Sequence, residues 1–499
     1  MLENFLTGTS ALFGDPVSIG IFVFGVIGGM LFGAIPGVSM LTLAAILLPF
    51  SAGLEPAQGV MLFAVIYCTG TYGGAITAIL FNIPGAPENA PTAFDGYPMT
   101  KKGMAGKAVG AAVLCSAVGG TASALLMMTA TEPLAHWAIR NIGPPEIFAL
   151  VFFGLAVASS VGGKTIWKGW MSVLLGLMIA TIGQDPVGGI NRYNFGLPDL
   201  AAGIAFVPAI LGFFAVSEIF IQAEKKAFGK YNAPKLNVDF PTFKELWAHK
   251  IAVVRSIVVG FFCGILPGIG ATLAAFMGYG EAVRWSKEKE KFGTGKLEGV
   301  ISSETANNAA TGAAMIPLLA LGLPGGALTA IMVAVFQFHD MEPGPLVFYN
   351  SPELIWVVFA AMFYANVSIL FIGLIETKTI LQLLRIPFTY LAPMILMLAS
   401  IGAYIGRGLV LDVVVMFGAG VLGFLLRRSG YSIAGIVLGI ILGKIGEQNF
   451  AQGMQMVHYD LVTYMSRPIC FILIIAGAVT LGTGVYRALA SNRAPKNSQ

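Results

Sequence analysis

The sequence predicts an all-α polytopic membrane protein made of two inverted-topology repeats, each holding a re-entrant or broken hairpin and about five transmembrane helices, plus one extra C-terminal helix. Three observations predict this architecture. Hydrophobic residues make up 56% of the 499 residues and charged residues only 11%, which is too little charge to cover a soluble protein of this size. Apolar stretches long enough to span hydrocarbon recur along the chain. Short motifs of the first half also return in the second half.

Two pairs of matching motifs define the repeat. The stretch GMLFGAIPGVSMLTLAA at 29–45 aligns with GFFCGILPGIGATLAAF at 260–276, an offset of 231. Further along, TYGGAITAILFNIPG at 71–85 aligns with TGAAMIPLLALGLPG at 311–325, an offset of 240. The charged insertion RWSKEKEKFGTGK in the second half accounts for the difference. A repeat of this kind is typical of membrane transporters.

Each half is predicted to begin with two broken segments and to continue with four plainer spans. For the first half the broken segments are 17–50 and 57–85, followed by spans at 104–130, 144–161, 167–183 and 199–222. For the second half they are 251–285 and 303–338, followed by spans at 353–376, 387–405, 408–426 and 431–448. A last span at 467–486 has no counterpart. The domain boundaries are therefore 1–223 for the first repeat, 224–250 for a charged cytoplasmic linker, 251–450 for the second repeat, and 451–499 for the C-terminal helix and tail.

The distribution of basic residues predicts that the second repeat is inverted. No lysine or arginine occurs in the first 100 residues, whereas the flanks of the matching segment in the second half are rich in both. Lysine and arginine favour the cytoplasmic side of a membrane. The first broken segment is thus expected to open outward and the second inward, with the N-terminus outside and the C-terminus inside. Arg140, Arg192 and Arg407 are single exceptions to this pattern.

Four proline-glycine pairs interrupt the apolar segments. A proline inside a helix costs about 3 kcal/mol, and peptide groups freed in hydrocarbon need protein or a water-filled cavity to satisfy them. Packing kinks are one explanation for any single break. Four breaks at matching positions instead favour a binding site at the membrane midplane, built from the ends of half-helices. The four prolines are Pro36, Pro84, Pro267 and Pro324.

A helix that starts after such a break presents unpaired N–H groups and a positive dipole end, which favour an anion. Carboxylates suit this chemistry, and nearby hydroxyls and amides add donors. Carbonyl groups on the other side of a break can hold Na⁺. The predicted substrate-binding residues are Gly37, Ser39, Thr42, Asn82, Gly85, Gly268, Gly270, Thr272, Asn307, Asn308 and Gly325.

The motif SSETANNAATG at 302–312 places Glu304, Asn308 and Thr311 on one helix face. Two interpretations of Glu304 stay open. Either Ser302 or Ser303 caps the helix and Glu304 lies in its first turn near the interface, or Glu304 lies deep and serves ion coupling together with Thr311.

The polar, proline-rich stretch after the second break is expected to form a hairpin tip and a loop. Glu88 and Asp95 in that stretch are expected to be solvated. No metal site or cofactor is predicted, apart from a transported Na⁺ or H⁺.

These residues also resemble a known family. The stretches YGGAITAILFNIPGAPENAPTAFDGYPMTKKGMAGKA and GILPGIGATLAAF, with SSETANNAATGAAMIPLLALGLPG, resemble the large membrane subunit of the tripartite tricarboxylate transporters, the TctA family, over nearly the whole chain. The family's characteristic stretches match 33–37, 72–74, 82–85, 264–270, 304–308 and 323–325. Ala75 departs from the serine that is common in the family after YGG.

The resemblance implies a multi-pass permease of the bacterial inner membrane, with a periplasmic N-terminus and a cytoplasmic C-terminus. It also implies a small four-helix membrane subunit (TctB-like), a periplasmic solute-binding protein (TctC-like), a small organic carboxylate as substrate and an ion gradient as energy source. The membrane lipid is the other expected contact, and no nucleic acid is expected.

Two alternatives within transport are an organic anion channel and a carboxylate carrier that needs no binding protein. An enzyme is not predicted, because a nucleophile needs a base and an orienting group nearby, and the four histidines fall in predicted loops or termini.

Overall fold

The computed structural model describes the chain outside residues 36–38, 162–165, 186–187, 225–239, 269, 384–387 and 494–499. The described part is mostly helical. One small antiparallel hairpin pairs β1 (Gly183–Gln184) with β2 (Asn191–Arg192). Eight of the described helices are long and apolar enough to cross a membrane, so the chain is an all-α, multi-pass membrane protein.

The described residues of the first half form ten α-helices. A 3-10 turn (Pro87–Asn89) precedes the fifth, and a π-helical turn (Leu211–Val216) joins the last two. The helices are α1 (Leu2–Gly14), α2 (Pro16–Ala34), α3 (Met40–Ser51), α4 (Pro56–Phe81), α5 (Ala90–Lys101), α6 (Ala105–Asn141), α7 (Pro144–Val161), α8 (Ile166–Ala180), α9 (Phe206–Ile210) and α10 (Ser217–Glu224).

The second half and the C-terminal region follow the predicted linker. Their helices are α11 (Phe243–Ala248), α12 (Lys250–Ile265), α13 (Gly270–Trp285), α14 (Leu297–Leu321), α15 (Ala327–Phe338), α16 (Val347–Asn350), α17 (Pro352–Leu383), α18 (Phe388–Ile405), α19 (Val410–Arg428), α20 (Ile433–Met456), α21 (Leu461–Met465) and α22 (Pro468–Arg493).

The helix starts have local causes in the sequence. Pro16 occupies the first position of α2, where its missing N–H costs nothing. The carboxylate of Asp15 accepts hydrogen bonds from the backbone N–H groups of Val17 and Ser18, at 3.2 and 2.8 Å, and so caps α2. A reciprocal capping box between Glu55 and Gln58 starts α4. These polar caps fix where the first broken segment begins and where its partner follows.

Some helices differ from the predicted elements. The first, α1, was not predicted, because LENFLTGTSALFG is short and mixes polar with apolar residues; it packs along α17. The second, α5, occupies the stretch that was predicted as a loop. In addition, α14 begins at Leu297 rather than near residue 303, which moves the SSETANN motif into the helix interior.

The broken segments of the two halves make equivalent close contacts. A methyl group built on Gly33 would lie 2.4 Å from the carbonyl oxygen of Gly70, and one built on Gly264 would lie 2.7 Å from that of Ala310. These pairs match at the offsets of 231 and 240. Close backbone approach through small residues is how membrane helices pack tightly. The packing of α2 on α4 is therefore repeated by the packing of α12 on α14.

A second pair of contacts repeats at the proline-glycine breaks. A methyl group on Gly85 would lie 2.6 Å from the α-carbon of Gly74, and one on Gly325 would lie 2.6 Å from the carbonyl oxygen of Ala314. Both helices before these breaks also end in the same way. The backbone turns into the left-handed conformation at Asn82 (φ 57°) after α4 and at Gly322 (φ 72°) after α14, an end that terminates a helix.

The halves exchange their longer helices. The first half's α6 packs along α14, and the second half's α17 packs along α4. In the same way α20 packs on α7 and α8, whereas the π-helical turn between α9 and α10 packs on α18 and α19. Each pair of broken segments is therefore held by helices of both halves.

Two of the exceptional arginines carry a compensating partner. The guanidinium of Arg192 donates to both carboxylate oxygens of Glu447, at 2.5 and 3.0 Å. Arg407 forms an ion pair with the fully buried Asp412. A paired arginine carries less net positive charge into its surroundings.

Candidate functional site

The helices end and restart on either side of all four proline-glycine pairs. α2 ends at Ala34 and α3 starts at Met40, while α12 ends at Ile265 and α13 starts at Gly270. α4 ends at Phe81 before the 3-10 turn, and α14 ends at Leu321 before α15. Pro36 and Gly37 themselves lie outside the described residues.

The third and fourth breaks are joined directly. The amide of Gly268 donates a hydrogen bond of 3.1 Å to the carbonyl oxygen of Gly325. Gly268 has a φ of +108°, which L-residues rarely adopt. The amide of Gly85 donates to the carbonyl oxygen of Gly74 at 3.3 Å. Two of the amides predicted to face a substrate thus have protein partners in this conformation.

The other predicted residues at the breaks are spread between two helix starts and a turn. Ser39 precedes α3 and its carbonyl oxygen accepts from the amide of Thr42 at 3.0 Å, while the Thr42 side chain is buried. In the first turn of α13, Gly270 matches Ser39 at the offset of 231, and Thr272 follows two residues later. Asn82 is exposed. The remaining predicted residues lie on α14.

Glu304 lies in the middle of a fully buried polar cluster. Its carboxyl Oε1 contacts the hydroxyl of Thr92 at 2.5 Å, and its Oε2 accepts from the hydroxyl of Ser116 at 3.0 Å. The amide of Asn307 approaches Oε1 at 3.4 Å. Among the described residues, no lysine, arginine or histidine forms an ion pair with Glu304. The helix-cap interpretation of Glu304 is wrong, because Lys296 is the N-cap of α14.

Asn308 and Thr311 extend the cluster along α14. The amide of Asn308 donates to the side-chain oxygen of Asn307 at 2.7 Å and to the carbonyl oxygen of Glu304 at 3.0 Å. The hydroxyl of Thr311 donates to the carbonyl oxygen of Asn308 at 2.8 Å and lies 3.8 Å from the sulfur of Cys68 on α4. All these side chains are fully buried, so water does not reach them in this conformation.

The expectation that Glu88 and Asp95 are solvated is wrong. Glu88 is 6% exposed and Asp95 is fully buried. One oxygen of Asp95 accepts from the amides of Gly295 and Lys296, both at 2.8 Å, and the other from the hydroxyl of Tyr279 at 2.9 Å. Asp95 therefore fixes α5 to the start of α14, where a carboxylate also complements the helix dipole.

Glu88 reaches the second half. The amide of Asn307 donates to the carbonyl oxygen of Glu88 at 3.4 Å, and the 3-10 turn that contains Glu88 packs against α13. Its neighbour Asn89 donates to the carbonyl oxygen of Thr71 at 2.8 Å. The stretch after the second break thus connects α4 to the helix that starts at the third break.

Sequence reasoning missed Thr92, Ser116 and Asn89. Each lies on an element other than α14, and its role depends on a partner far along the chain. ENAPT at 88–92 offers no period or spacing that would mark Thr92 as a neighbour of Glu304. Only the packing of α5 and α6 against α14 brings these groups together.

Comparisons with known proteins agree with this architecture. The family described as the tripartite tricarboxylate transporter TctA family matches residues 19–438. A curated relative from Agrobacterium vitis, the "Uncharacterized 52.8 kDa protein in TAR-I ttuC' 3'region", is 35% identical over 481 residues, which cover 96% of this chain and 95% of the relative.

A second Agrobacterium vitis relative, the "Uncharacterized protein in TAR-II ttuC' 3'region", is 34% identical over 234 residues, which cover 47% of this chain and 97% of that relative. No solved structure matches significantly. Since the family match covers most of the chain and the architecture is that of a multi-pass membrane protein, the chain belongs to the tripartite tricarboxylate transporter TctA family, a family of transporter subunits.

Proposed function

We propose that this chain is the large permease subunit of a binding-protein-dependent secondary transporter, which takes up tricarboxylates or related small organic carboxylates. The energy source is a gradient of Na⁺ or H⁺. The observation that carries the proposal is that a chain of this transporter family has four proline-glycine breaks, and that the helices flanking them pack as two equivalent pairs. Half-helix ends of this kind suit carboxylate groups.

The two halves act as inverted repeats in this proposal. The repeated contacts of Gly33 and Gly264, and the exchange of α6 and α17 between the halves, support a pseudo-twofold relationship. The distribution of lysine and arginine supports inversion. Alternating access then arises when one pair of broken segments moves relative to the other.

The substrate binds at the helix starts that follow the breaks. Ser39 and Thr272 stand at matching starts of α3 and α13, and each adds a hydroxyl beside backbone amides. Asn307 and Asn308 are paired with each other and with Glu304 and the Glu88 backbone in the closed arrangement. Substrate contact by these amides requires those hydrogen bonds to exchange as the site opens.

The proposed complex lies in the bacterial inner membrane, with the N-terminus periplasmic and the C-terminus cytoplasmic. A small four-helix membrane subunit and a periplasmic solute-binding protein complete it, and the binding protein selects the carboxylate. The family and the charge distribution of the chain support these assignments.

Uptake into proteoliposomes that contain both membrane subunits tests the proposal. We expect a panel of small di- and tricarboxylates to include at least one that accumulates only when the binding protein and an ion gradient are both present. Uptake independent of the binding protein would favour a simple carrier, and conductance far above transporter turnover would favour a channel. If the Asn308→Ala and Gly268→Ala variants insert normally and transport normally, the assigned site is wrong.

A further inference from the structure

The hydrogen bonds around Glu304 carry information about its proton. Ser303, beside it on α14, has one hydroxyl hydrogen, which it donates to the carbonyl oxygen of Gly299 at 2.9 Å, the usual back-bond of a helical serine. The hydroxyl oxygens of Ser303 and Thr92 lie 2.9 Å apart. Either oxygen can be the donor in this contact; while Ser303 keeps its bond to Gly299, the hydrogen between the two oxygens belongs to Thr92.

The same count then applies to the contact between Thr92 and Glu304. Thr92 has no second hydrogen to offer, yet its oxygen lies 2.5 Å from Oε1 of Glu304. In that arrangement the hydrogen between Thr92 and Oε1 comes from a protonated carboxyl group, whereas in the reverse arrangement Thr92 donates to an ionised one. The other oxygen, Oε2, accepts from Ser116 at 3.0 Å, as the carbonyl oxygen of a carboxylic acid does. All these contacts are satisfied together when Glu304 is protonated on Oε1.

The ionised form would require a different arrangement. Thr92 would have to turn its hydrogen toward Glu304, and Ser303 would have to release the Gly299 carbonyl to keep its contact with Thr92. The hydrogen bonds that connect Gly299, Ser303, Thr92 and Glu304 can thus run in two donor-to-acceptor directions. One belongs to the acid and the other to the carboxylate.

In the part of the chain that the structure describes, no cation is paired with Glu304. The helices packed against α14 are α4, α5, α6, α12 and α13, together with the 3-10 turn. The nearest charged residue on α14 itself is Glu298. Lys296 precedes the helix and lies about 12 Å from Glu304 along the helix axis, at 1.5 Å per residue. The titratable side chains that the packed elements place beside α14 or the adjacent break are Tyr67, Cys68, Glu88, Asp95, Cys115, Cys263 and Tyr279. None of them is positively charged, and a buried carboxylate without a positive partner is costly.

The cluster is also connected to the breaks. Asn307 approaches Glu304 and the Glu88 carbonyl oxygen, both at 3.4 Å, and the 3-10 turn that contains Glu88 packs against α13. A movement of the helix that starts at the third break would therefore reach the hydrogen bonds of Glu304.

We propose that Glu304 is the proton-carrying group of this transporter: it holds a proton on Oε1 in the closed cluster of Thr92, Ser116, Ser303 and Asn307, and releases it to water when the cluster opens. The coupling role rests on the proposed function, whereas the protonated state rests on the full burial of Glu304, on the lack of a cation paired with it among the described residues, and on the hydrogen-bond arrangement that suits the acid. The proton moves from Oε1 to water on the side to which the site opens, and no other bond changes.

Infrared difference spectroscopy tests the protonated state without any transport. The probe is the purified full-length protein, titrated from about pH 5 to about pH 9. This range lies above the pKa of exposed carboxyl groups, which are therefore largely ionised throughout. We expect a carboxylic-acid carbonyl band at neutral pH that is missing in Glu304→Gln and shifted in Thr92→Val, which retains the acid but loses its hydrogen-bond acceptor. A wild-type spectrum without such a band, or a band that persists unchanged in Glu304→Gln, would overturn the protonated state.

Uptake and exchange then test the coupling role. The vesicles contain the whole complex with its binding protein, and choline replaces sodium at fixed ionic strength. We expect wild-type accumulation to follow an inward proton gradient. Glu304→Gln should fall to the level reached without a gradient but keep exchange of labelled for unlabelled carboxylate, because glutamine imitates the protonated form.

The outcomes separate the two proposals. Accumulation by Glu304→Gln at the wild-type level, wild-type accumulation that depends on sodium alone, or loss of exchange together with accumulation would each overturn the coupling role. A wild-type complex that transports no carboxylate would overturn the proposed function, and the infrared band would still decide the protonation of Glu304.

Discussion

The amide of Gly268 donates a hydrogen bond of 3.1 Å to the carbonyl oxygen of Gly325, residues separated by two whole helices in the chain. This bond joins the third break to the fourth. Because Gly268 has a φ of +108°, the link depends on a backbone conformation that glycine adopts readily and other residues do not. The arrangement of the two broken segments of the second half thus depends on glycine.

Gly268→Ala should destabilise the protein and reduce transport. The new side chain would add strain of about 1–3 kcal/mol, and its methyl group would lie 3.0 Å from the β-carbon of Ala158. Thermal unfolding in detergent measures the loss. Gly280→Ala in α13 is the matched control, because a methyl group there meets nothing within 4 Å. Equal unfolding temperatures for the two variants would contradict the strain argument.

The repeated contacts predict parallel effects in the two halves. We expect Gly33→Ala and Gly264→Ala to lower thermal stability and transport by similar amounts, since each methyl group would collide with a backbone carbonyl of the partner helix, at 2.4 and 2.7 Å. Gly20→Ala on α2 is the control, because it has open space within 4 Å. A large effect in one half with none in the other would show that the packing is not equivalent.

Asp95 is predicted to be a structural carboxylate. Asp95→Ala leaves the amides of Gly295 and Lys296 without their acceptor, and an unsatisfied buried polar group costs about 1–3 kcal/mol. Tyr279→Phe removes one hydrogen bond and should cost less, about 1 kcal/mol. Thermal unfolding of both variants, with the exposed Glu290→Ala as control, gives the comparison. The assignment fails if Asp95→Ala is as stable as the control.

The end of the linker carries a pH-dependent contact. A hydrogen bond from Lys107 lowers the pKa of Glu245 to about 2, with help from the backbone amide of Thr242. A carboxyl group whose pKa is lower in the folded state contributes stability above its unfolded pKa, and that contribution disappears as the pH falls toward the folded pKa.

Glu245→Gln should therefore lower the unfolding temperature near neutral pH. The difference from the wild type should shrink between about pH 4.5 and about pH 2. Lys107→Met serves as the partner control, because it removes the same ion pair from the other side. A difference that stays constant over this pH range would contradict the shifted pKa of Glu245.

The sequence predicted the breaks better than the site around them. Proline beside glycine is a local signal, so the ends of α2, α4, α12 and α14 could be placed from it. The burial of Asp95 could not be predicted from a local signal, because its partners Gly295 and Lys296 lie two hundred residues further along the chain. In the same way, Glu304 carries no local sign that Thr92 and Ser116 will enclose it. Local patterns report where a helix ends, whereas the partners of a buried polar group depend on tertiary packing.

The short first helix was missed for a related reason. Residues 2–14 lack the length and apolar character that mark a transmembrane span. α1 is held by packing along α17, including Gly8, whose α-carbon lies so close to the backbone of Trp356 that a methyl group would be 2.3 Å from its carbonyl oxygen. Its stability comes from tertiary contacts rather than from its own propensity.

Substrate protection of single cysteines at the helix starts tests the central claim most directly. Ser39→Cys and Thr272→Cys would be placed one at a time in a chain whose four native cysteines are replaced, with Ser429→Cys at the exposed end of α19 as control. Labelling by a water-soluble maleimide is followed in the complex with and without a transported carboxylate. The account predicts that the carboxylate slows labelling at 39 and 272 and leaves 429 unchanged. A substrate site between the broken segments would be contradicted if the labelling rates at 39 and 272 were the same with and without the carboxylate, provided that the same vesicles accumulate that carboxylate.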